Sequence, residues 1–462
     1  MNIAFIGGGS LRILPIVRSL LDIHRKAFEG GSIRLIDLKL DRAEAVGRMI
    51  MRCPEFKNTN CEVLWTAELE KGLEGADILY VTMAIERQPS LIMAERLSEK
   101  YDALCSDQLS LNGGFLAARG GPAILSFARK MEQCCPQALM LIFANPVAVY
   151  SAMVNNHSKI RALGICEGFH NHKWDLPRLC GRDEHDDAID VVAAGVNHLS
   201  FILRGSWRGR DVFDVLREHI TADWRPPQID HVFGNVIAQG LTLLAKFHRR
   251  FGQMIFSSEG DGMAHIFKEE TAGWFRRTLE ANAGKSLETI AAESAAAADS
   301  RFDAFAAESR RDDDSVWRKP YRENPLYGVN AHDVVNPVIA AMTGGEKFRI
   351  VASAANRGAV DGFTGRMALE YTMDIQGREI TAVENQYVPS PFYGLIASLS
   401  EFQTLLGDAI AARDPKLFAD ALEAYPVDRF GKRRGAYLAE LFDVYTDIPA
   451  PLRQAKELVA RW

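Results

Sequence analysis

The chain is 462 residues long, more than one compact core holds, so two domains are the expected arrangement. Hydrophobic residues make up 47% and charged residues 25%, the texture of a soluble globular protein, and a formal net charge of -6 argues against a nucleic-acid partner, which asks for a basic face. No apolar run reaches the ~20 residues that span a bilayer. Residues 1–9 carry no basic leader, and the cysteines form neither a CxxC pair nor a disulfide framework, so a cytoplasmic protein with reduced thiols and no structural zinc is expected.

Residues 2–6 form a short apolar run, Gly7-Gly8-Gly9-Ser10 follows, and over 11–24 apolar side chains recur at helical spacing (Leu14, Val17, Leu20, Leu21): a strand, a turn and a helix. Further strands are expected at 32–36, ending on Asp37, at 62–66, 77–83 and 138–143, with helices over 42–52 and 121–135. A strand at 159–165, ending beside Cys166, closes the set. Apolar strands alternating with helices describe an α/β, parallel, doubly wound sheet of the Rossmann type, assigned to residues 1–190. Beyond it come paired strands at 191–194 and 199–203 around Gly195-Val196-Asn197-His198. Long helices over 232–251, 271–300 and 395–412 follow, and the pattern fits an α+β substrate domain over 191–462. The charge run 308–314 reads as a solvated loop.

The glycine turn sits between a strand and a helix, where a dinucleotide pyrophosphate approaches the backbone and the helix N-terminus. Gly7, Gly8, Gly9 and Ser10 are the candidate cradle, and Asp37 at the end of the second strand can accept the ribose hydroxyls of NAD. The third fingerprint glycine is replaced by Arg12, which either meets an anionic group or is simply solvated. Asn145-Pro146 ends another strand, where an Asn can bond a nicotinamide-ribose or substrate hydroxyl, or simply form a turn.

Cys166 and His198 each lie just after or between apolar strands. A thiolate and a neutral imidazole can share a divalent metal with positions left for substrate oxygens; the plain alternative is a buried thiol and a structural histidine. In 258–265, Asp261 lies between two glycines and can act as a general base or belong to a glycine turn, while His265 can pair with it or cap a helix.

Taken together these segments resemble glycoside hydrolase family four, the NAD- and manganese-dependent α- and β-glycosidases. The resemblance runs through the glycine turn, Asp37, Gly113-Gly114 with Arg119, Asn145-Pro146, Gly164-Ile165-Cys166, Gly195-Val196-Asn197-His198, Glu259-Gly260-Asp261 and Asn356-Arg357-Gly358. It implies NAD and Mn2+ (or another divalent ion) as cofactors, Cys166 and His198 as metal ligands, and Asp261 as the base. It further implies Asn145 at a sugar hydroxyl, and a homodimer or homotetramer. The implied chemistry is hydride removal at C3 of the sugar, proton removal at C2, elimination, water addition and return of the hydride.

The residue after the metal cysteine is Glu167, a poor neighbour for a phosphate. The expectation is therefore an unphosphorylated α-glycoside or uronide, with Asn145, Glu167, Arg119 and Asn197 toward the substrate. Arg12, Arg87 and Arg119 are the cations available if the substrate is anionic, and His170 and His172 are further donors nearby. A 6-phosphoglycosidase of the same family, and a lactate/malate-type dehydrogenase with net NAD turnover, are the alternatives. Cys166 beside His198 speaks against the dehydrogenase, whose His–Asp pair works without metal.

Overall fold

The computed structural model describes residues 1–83, 88–231, 234–256, 260–271, 277–319, 324, 326–426 and 433–460. Among them thirteen strands form one sheet. They are β1 (Asn2–Ile6), β2 (Ser32–Ile36), β3 (Glu62–Thr66), β4 (Ile78–Val81), β5 (Leu139–Ile142), β6 (Arg161–Gly164), β7 (Ile189–Val196), β8 (Leu199–Trp207), β9 (Arg210–Asp211), β10 (Met254–Ile255), β11 (Phe348–Ala355), β12 (Ala368–Gln376) and β13 (Glu379–Ala382). The order is β3-β2-β1-β4-β5-β6-β11-β12-β7-β8-β10, with β13 beside β12 and β9 beside β8.

The first six strands are parallel. β4 and β5 are buried at every position, as strands covered by helices on both faces must be. The remaining strands pair antiparallel, and the two halves join through a single residue pair, Gly164 on β6 with Ser353 on β11. Residue 190, where the sequence suggests a division, lies inside β7. The helix Tyr393–Ala412 packs against Leu111–Cys134 and Val147–His157, so the C-terminal part of the chain returns onto the N-terminal half.

Two expected helices differ from those observed. The helix expected at 121–135 starts at Leu111, because the Ser110 hydroxyl caps it by accepting the Gly113 N–H at 3.2 Å. Its internal glycines weaken it locally, but they admit the neighbouring helix: a Cβ on Gly121 would lie 2.7 Å from Ile410. The helix expected at 271–300 is observed as Arg277–Ala281 and Leu287–Ser309. Gly284, at φ +76°, breaks it, and Ser286 caps the second piece. Strands β11 to β13 carry no clear alternation, because β12 is buried on both faces yet contains Glu370 and Asp374. Among the described residues no helix is long and apolar enough to cross a membrane.

Candidate active site

The glycine turn caps β1 where three chain segments meet. The N–H groups of Gly7 and Gly8 both donate to the Ile36 carbonyl at 3.0 Å, tying the turn to β2. Gly7 has φ +77°, a conformation open to glycine, and a Cβ on Gly8 would lie 2.6 Å from Leu35 Cα. Ser10 closes the turn by donating its N–H to the Gly7 carbonyl at 2.9 Å. Asp37 Oδ2 accepts the Gly9 N–H at 2.9 Å and Oδ1 accepts the Lys39 N–H at 2.8 Å. A carboxylate offers about four acceptor positions, so these two bonds fix its orientation and leave acceptor capacity over. The helix Ile13–Ile23 follows with no acidic residue in its first turn and no side-chain cap, an end that favours an approaching anion. The cradle, the helix end and the oriented carboxylate fit a dinucleotide.

Beside this turn, at the C-terminal ends of the parallel strands, lies a cavity of about 410 Å³. Ligands of doubly wound sheets bind at this end of the strands. Its wall includes Arg12, Asp107, Arg119, Asn145, Cys166, Glu167 and His198. Arg12 is partly exposed, and its guanidinium lies 4.2 Å from the Phe143 ring centroid and pairs with the exposed Glu167. Arg119 lines the cavity but is held by Asp447 at 2.7 Å and Ser90 at 3.0 Å. Asn145 is oriented from both sides, donating to Asp107 at 2.9 Å and accepting from the Gln108 amide at 2.6 Å.

Cys166 follows β6 and receives the Gly168 N–H on its sulfur at 3.4 Å. His198 occupies the β7–β8 turn at φ +69°, an uncommon conformation that a histidine adopts at modest cost. Residues 32 positions apart thus converge, with Cys166 Sγ 3.5 Å from His198 Nε2. A thiolate sulfur and a neutral imidazole nitrogen are both donors to divalent transition-metal ions. The donor set therefore fits a divalent ion. Among the described residues no group of three or more His, Cys, Asp or Glu side chains converges on a metal position.

Two expected site residues sit elsewhere. Asp261 does not face the cavity; it is 6% exposed, Oδ1 accepts from His198 Nδ1 at 2.7 Å and Oδ2 accepts from Ser106 Oγ at 2.5 Å. Burial pushes its carboxyl upward, and the hydrogen bonds from His198 and Ser106 oppose this and favour the ionised form. A carboxylate so occupied is a poor proton acceptor from substrate, and the geometry makes it the partner of His198 instead. Asn197 is 2% exposed and donates to Glu370 Oε2 at 2.7 Å behind the metal pair, so it braces the His198 turn and does not reach the cavity.

His265 Nδ1 meets the Asp261 carbonyl at 2.8 Å and Nε2 meets the Tyr425 hydroxyl at 3.2 Å, so it is a local anchor. Asn356 is fully buried and ties its own loop together, with its amide on Val360 and Phe363 carbonyls. His170 and His172 are not part of the cavity wall. Arg87, Ser258 and Glu259 lie outside the described residues.

Four contributors escaped the sequence reading. Ser106, Asp107 and Gln108 precede the capped helix and reach Asp261 and Asn145; a run of polar residues ahead of Gly113-Gly114 was the available signal. Glu370 accepts from both Asn197 and Ser200, and a charge inside an apolar strand marked it.

Two family models match this chain. "Family 4 glycosyl hydrolase" covers residues 2–180, and its C-terminal domain model covers 193–427. The chain belongs to the family 4 glycosyl hydrolases. An α-galactosidase of Bacillus subtilis is 24% identical over 54% of the chain and 60% of its own length. An α-galacturonidase of Thermoanaerobacter italicus is 22% identical over 55% of the chain and 61% of its own length. The matched part of the chain thus spans about three fifths of these family 4 relatives. A 6-phospho-α-glucosidase from gut microorganisms, solved with NAD and Mn2+, shares the fold, with a TM-score of 0.74, 16% identity, and 97% of this chain and 99% of that chain covered.

Proposed function

We propose that this protein is an NAD- and divalent-metal-dependent glycosidase acting on an unphosphorylated α-glycoside or uronide. The observation that carries this reading is Cys166 Sγ at 3.5 Å from His198 Nε2, in the wall of a cavity beside a dinucleotide turn. When bound, NAD would supply reversible hydride transfer at C3 of the sugar, and manganese or a similar ion, which Cys166 and His198 would hold, would supply Lewis acidity toward the neighbouring oxygens.

The chain's own residues set the frame for that chemistry. Asp37 and the glycine turn hold the dinucleotide. Asn145, fixed by Asp107 and Gln108, presents its amide to a sugar hydroxyl. Asp107, in the cavity wall, takes the C2 proton, since Asp261 is turned away onto His198. Among the described residues the cavity wall carries two arginines, Arg12 matched by Glu167 and Arg119 by Asp447. A phosphate would compete with those carboxylates for a neutralised wall, which supports an unphosphorylated sugar.

One observation favours a second reading. A buried Asp behind a His is also the proton-relay unit of the lactate- and malate-type dehydrogenases, but a thiol 3.5 Å from that imidazole has no task there. The test is a panel of nitrophenyl α-glycosides, uronides and 6-phosphoglycosides with NAD, Mn2+ and a reductant. The expected result is nitrophenol release on an unphosphorylated member with no NADH accumulating, abolished in Cys166→Ser while NAD binding persists. Stoichiometric NADH would establish the dehydrogenase instead, and turnover of 6-phosphoglycosides alone would overturn the substrate class.

A further inference from the structure

We infer that Ser106 is a positioning residue for the metal: through Asp261 it fixes the tautomer of His198 that leaves Nε2 able to bind a cation. The inference rests on the reading of Cys166 and His198 as metal donors and adds a residue to it.

The assignment follows from counting hydrogens. A hydroxyl has one donor and two acceptor positions. The Ser106 oxygen accepts the Gln108 N–H at 3.0 Å and the Leu109 N–H at 3.2 Å, so its acceptor capacity is taken. Its one proton is therefore directed to Asp261 Oδ2, at 2.5 Å. Asp261 Oδ1 meanwhile accepts its neighbour's N–H, from Gly262, at 2.9 Å. With donors at both oxygens Asp261 is an acceptor toward His198, so the proton of the imidazole sits on Nδ1, 2.7 Å away. Nε2, the atom facing Cys166, then carries the lone pair. A carboxylate behind a ligating histidine, itself hydrogen-bonded, is the arrangement that orients imidazole ligands and raises their basicity.

Ser106 is itself rigidly held. It is 7% exposed, its N–H donates to Ser110 Oγ at 3.1 Å, and its carbonyl accepts the Ser110 hydroxyl at 2.6 Å and the Asn112 amide at 3.2 Å. Ser110 is the N-cap of the helix Leu111–Cys134. The tautomer of His198 is thus referenced to a helix terminus in the parallel half of the fold. The next two residues orient Asn145 from the same loop. One three-residue segment therefore serves the metal side and the substrate side together.

The experiment is titration of the full-length protein with Mn2+ alone, without sugar or NAD, for wild type, Ser106→Ala, Ser106→Thr, Asp261→Asn and the double variant Ser106→Ala/Asp261→Asn. NAD binding and thermal midpoint are recorded for each. Loss of a group behind a metal ligand costs about 10- to 100-fold in affinity. The expected result is a roughly 10-fold or greater rise in Mn2+ Kd for Ser106→Ala, recovered in Ser106→Thr, with NAD Kd unchanged; the midpoint falls in Ser106→Ala, which leaves the Gln108 and Leu109 N–H groups without their acceptor. Asp261→Asn should weaken Mn2+ at least as much, and the double variant no more than Asp261→Asn alone, because both act through His198. Wild-type Mn2+ affinity in Ser106→Ala, or multiplicative losses in the double variant, would overturn the inference. Should Ser106→Ala lose NAD binding as well, Ser106→Thr against Asp261→Asn decides: equal Mn2+ loss in both overturns it. The underlying metal reading fails separately, if wild type and Cys166→Ser bind Mn2+ alike.

Discussion

At the scale of single residues, the site is a set of side chains whose partners decide their chemistry. Asp261 and Asp107 show this. The two carboxylates differ in what they touch: Asp261 is closed off by His198 and Ser106, whereas Asp107 faces the cavity with one oxygen on Asn145. An acid between glycines reads as exposed in the sequence, whereas in the structure the Asp261 carboxylate is buried against His198 and Ser106. Asp37 is the opposite case, lying at the strand end where its position in the sequence puts it and oriented by two backbone N–H groups. Replacing Asp37 by Ala removes hydrogen bonds from a charged acceptor, each worth about 1.5–3 kcal/mol. NAD Kd measured by fluorescence titration should rise by about 10- to 100-fold, with Mn2+ affinity unchanged. A parallel loss of Mn2+ affinity would mean that Asp37 shapes the fold and does not bind the ribose.

At the scale of elements, the β7–β8 turn and the short helix Gly260–Met263 are built against each other. A Cβ on Gly262 would lie 1.7 Å from the His198 carbonyl oxygen, so only glycine lets Asp261 reach the imidazole. Gly262→Ala should therefore drive the two elements apart, at an overpacking cost of about 1–3 kcal/mol. Urea denaturation should show that loss, and Mn2+ binding should fall with it; normal Mn2+ affinity would mean that the two elements can separate without disturbing His198. The glycine-rich start of the helix Leu111–Cys134 is a related case. Gly114 and Gly121 are contact points for the helix Tyr393–Ala412, and Gly113 lies against the Gln108 carbonyl. A one-dimensional pattern registers the missing side chain and not the neighbour that requires it.

At the scale of the whole molecule, burial of ionisable groups links stability to pH. Burial, with Lys173 second, pulls His170 and His172 down to about 3 from an ordinary value near 6.5. A folded value below the unfolded one means stability that is complete above about pH 6.5 and declines as pH falls toward 3, with a slope approaching 1.4 kcal/mol per pH unit for each histidine. Asp333, which burial lifts to about 6, takes up a proton between about pH 6 and its unfolded value near 3.8 and offsets one of the two over that range. Urea midpoints measured at pH 8, 6 and 5 should fall with acidification, and His172→Phe should flatten the decline; a flat wild-type profile would contradict it. What the sequence by itself determined is local: the strand–glycine turn–helix opening, the six parallel strands with apolar cores, Asp37 at its strand end, and the positions of Cys166 and His198 beside apolar strands. Each of these depends on spacing or on residue type in a short window, and such windows carry their own periodicity. The tertiary structure alone decided which distant groups share a hydrogen. In the sheet β11 and β12 lie between β6 and β7, so Cys166 and His198 meet through the segments beyond the strand ends, and packing sets the loop before the helix Leu111–Cys134 beneath Asp261. Contacts between residues 155 positions apart, such as Ser106 with Asp261, leave no trace in local pattern because the chain between them is free to vary.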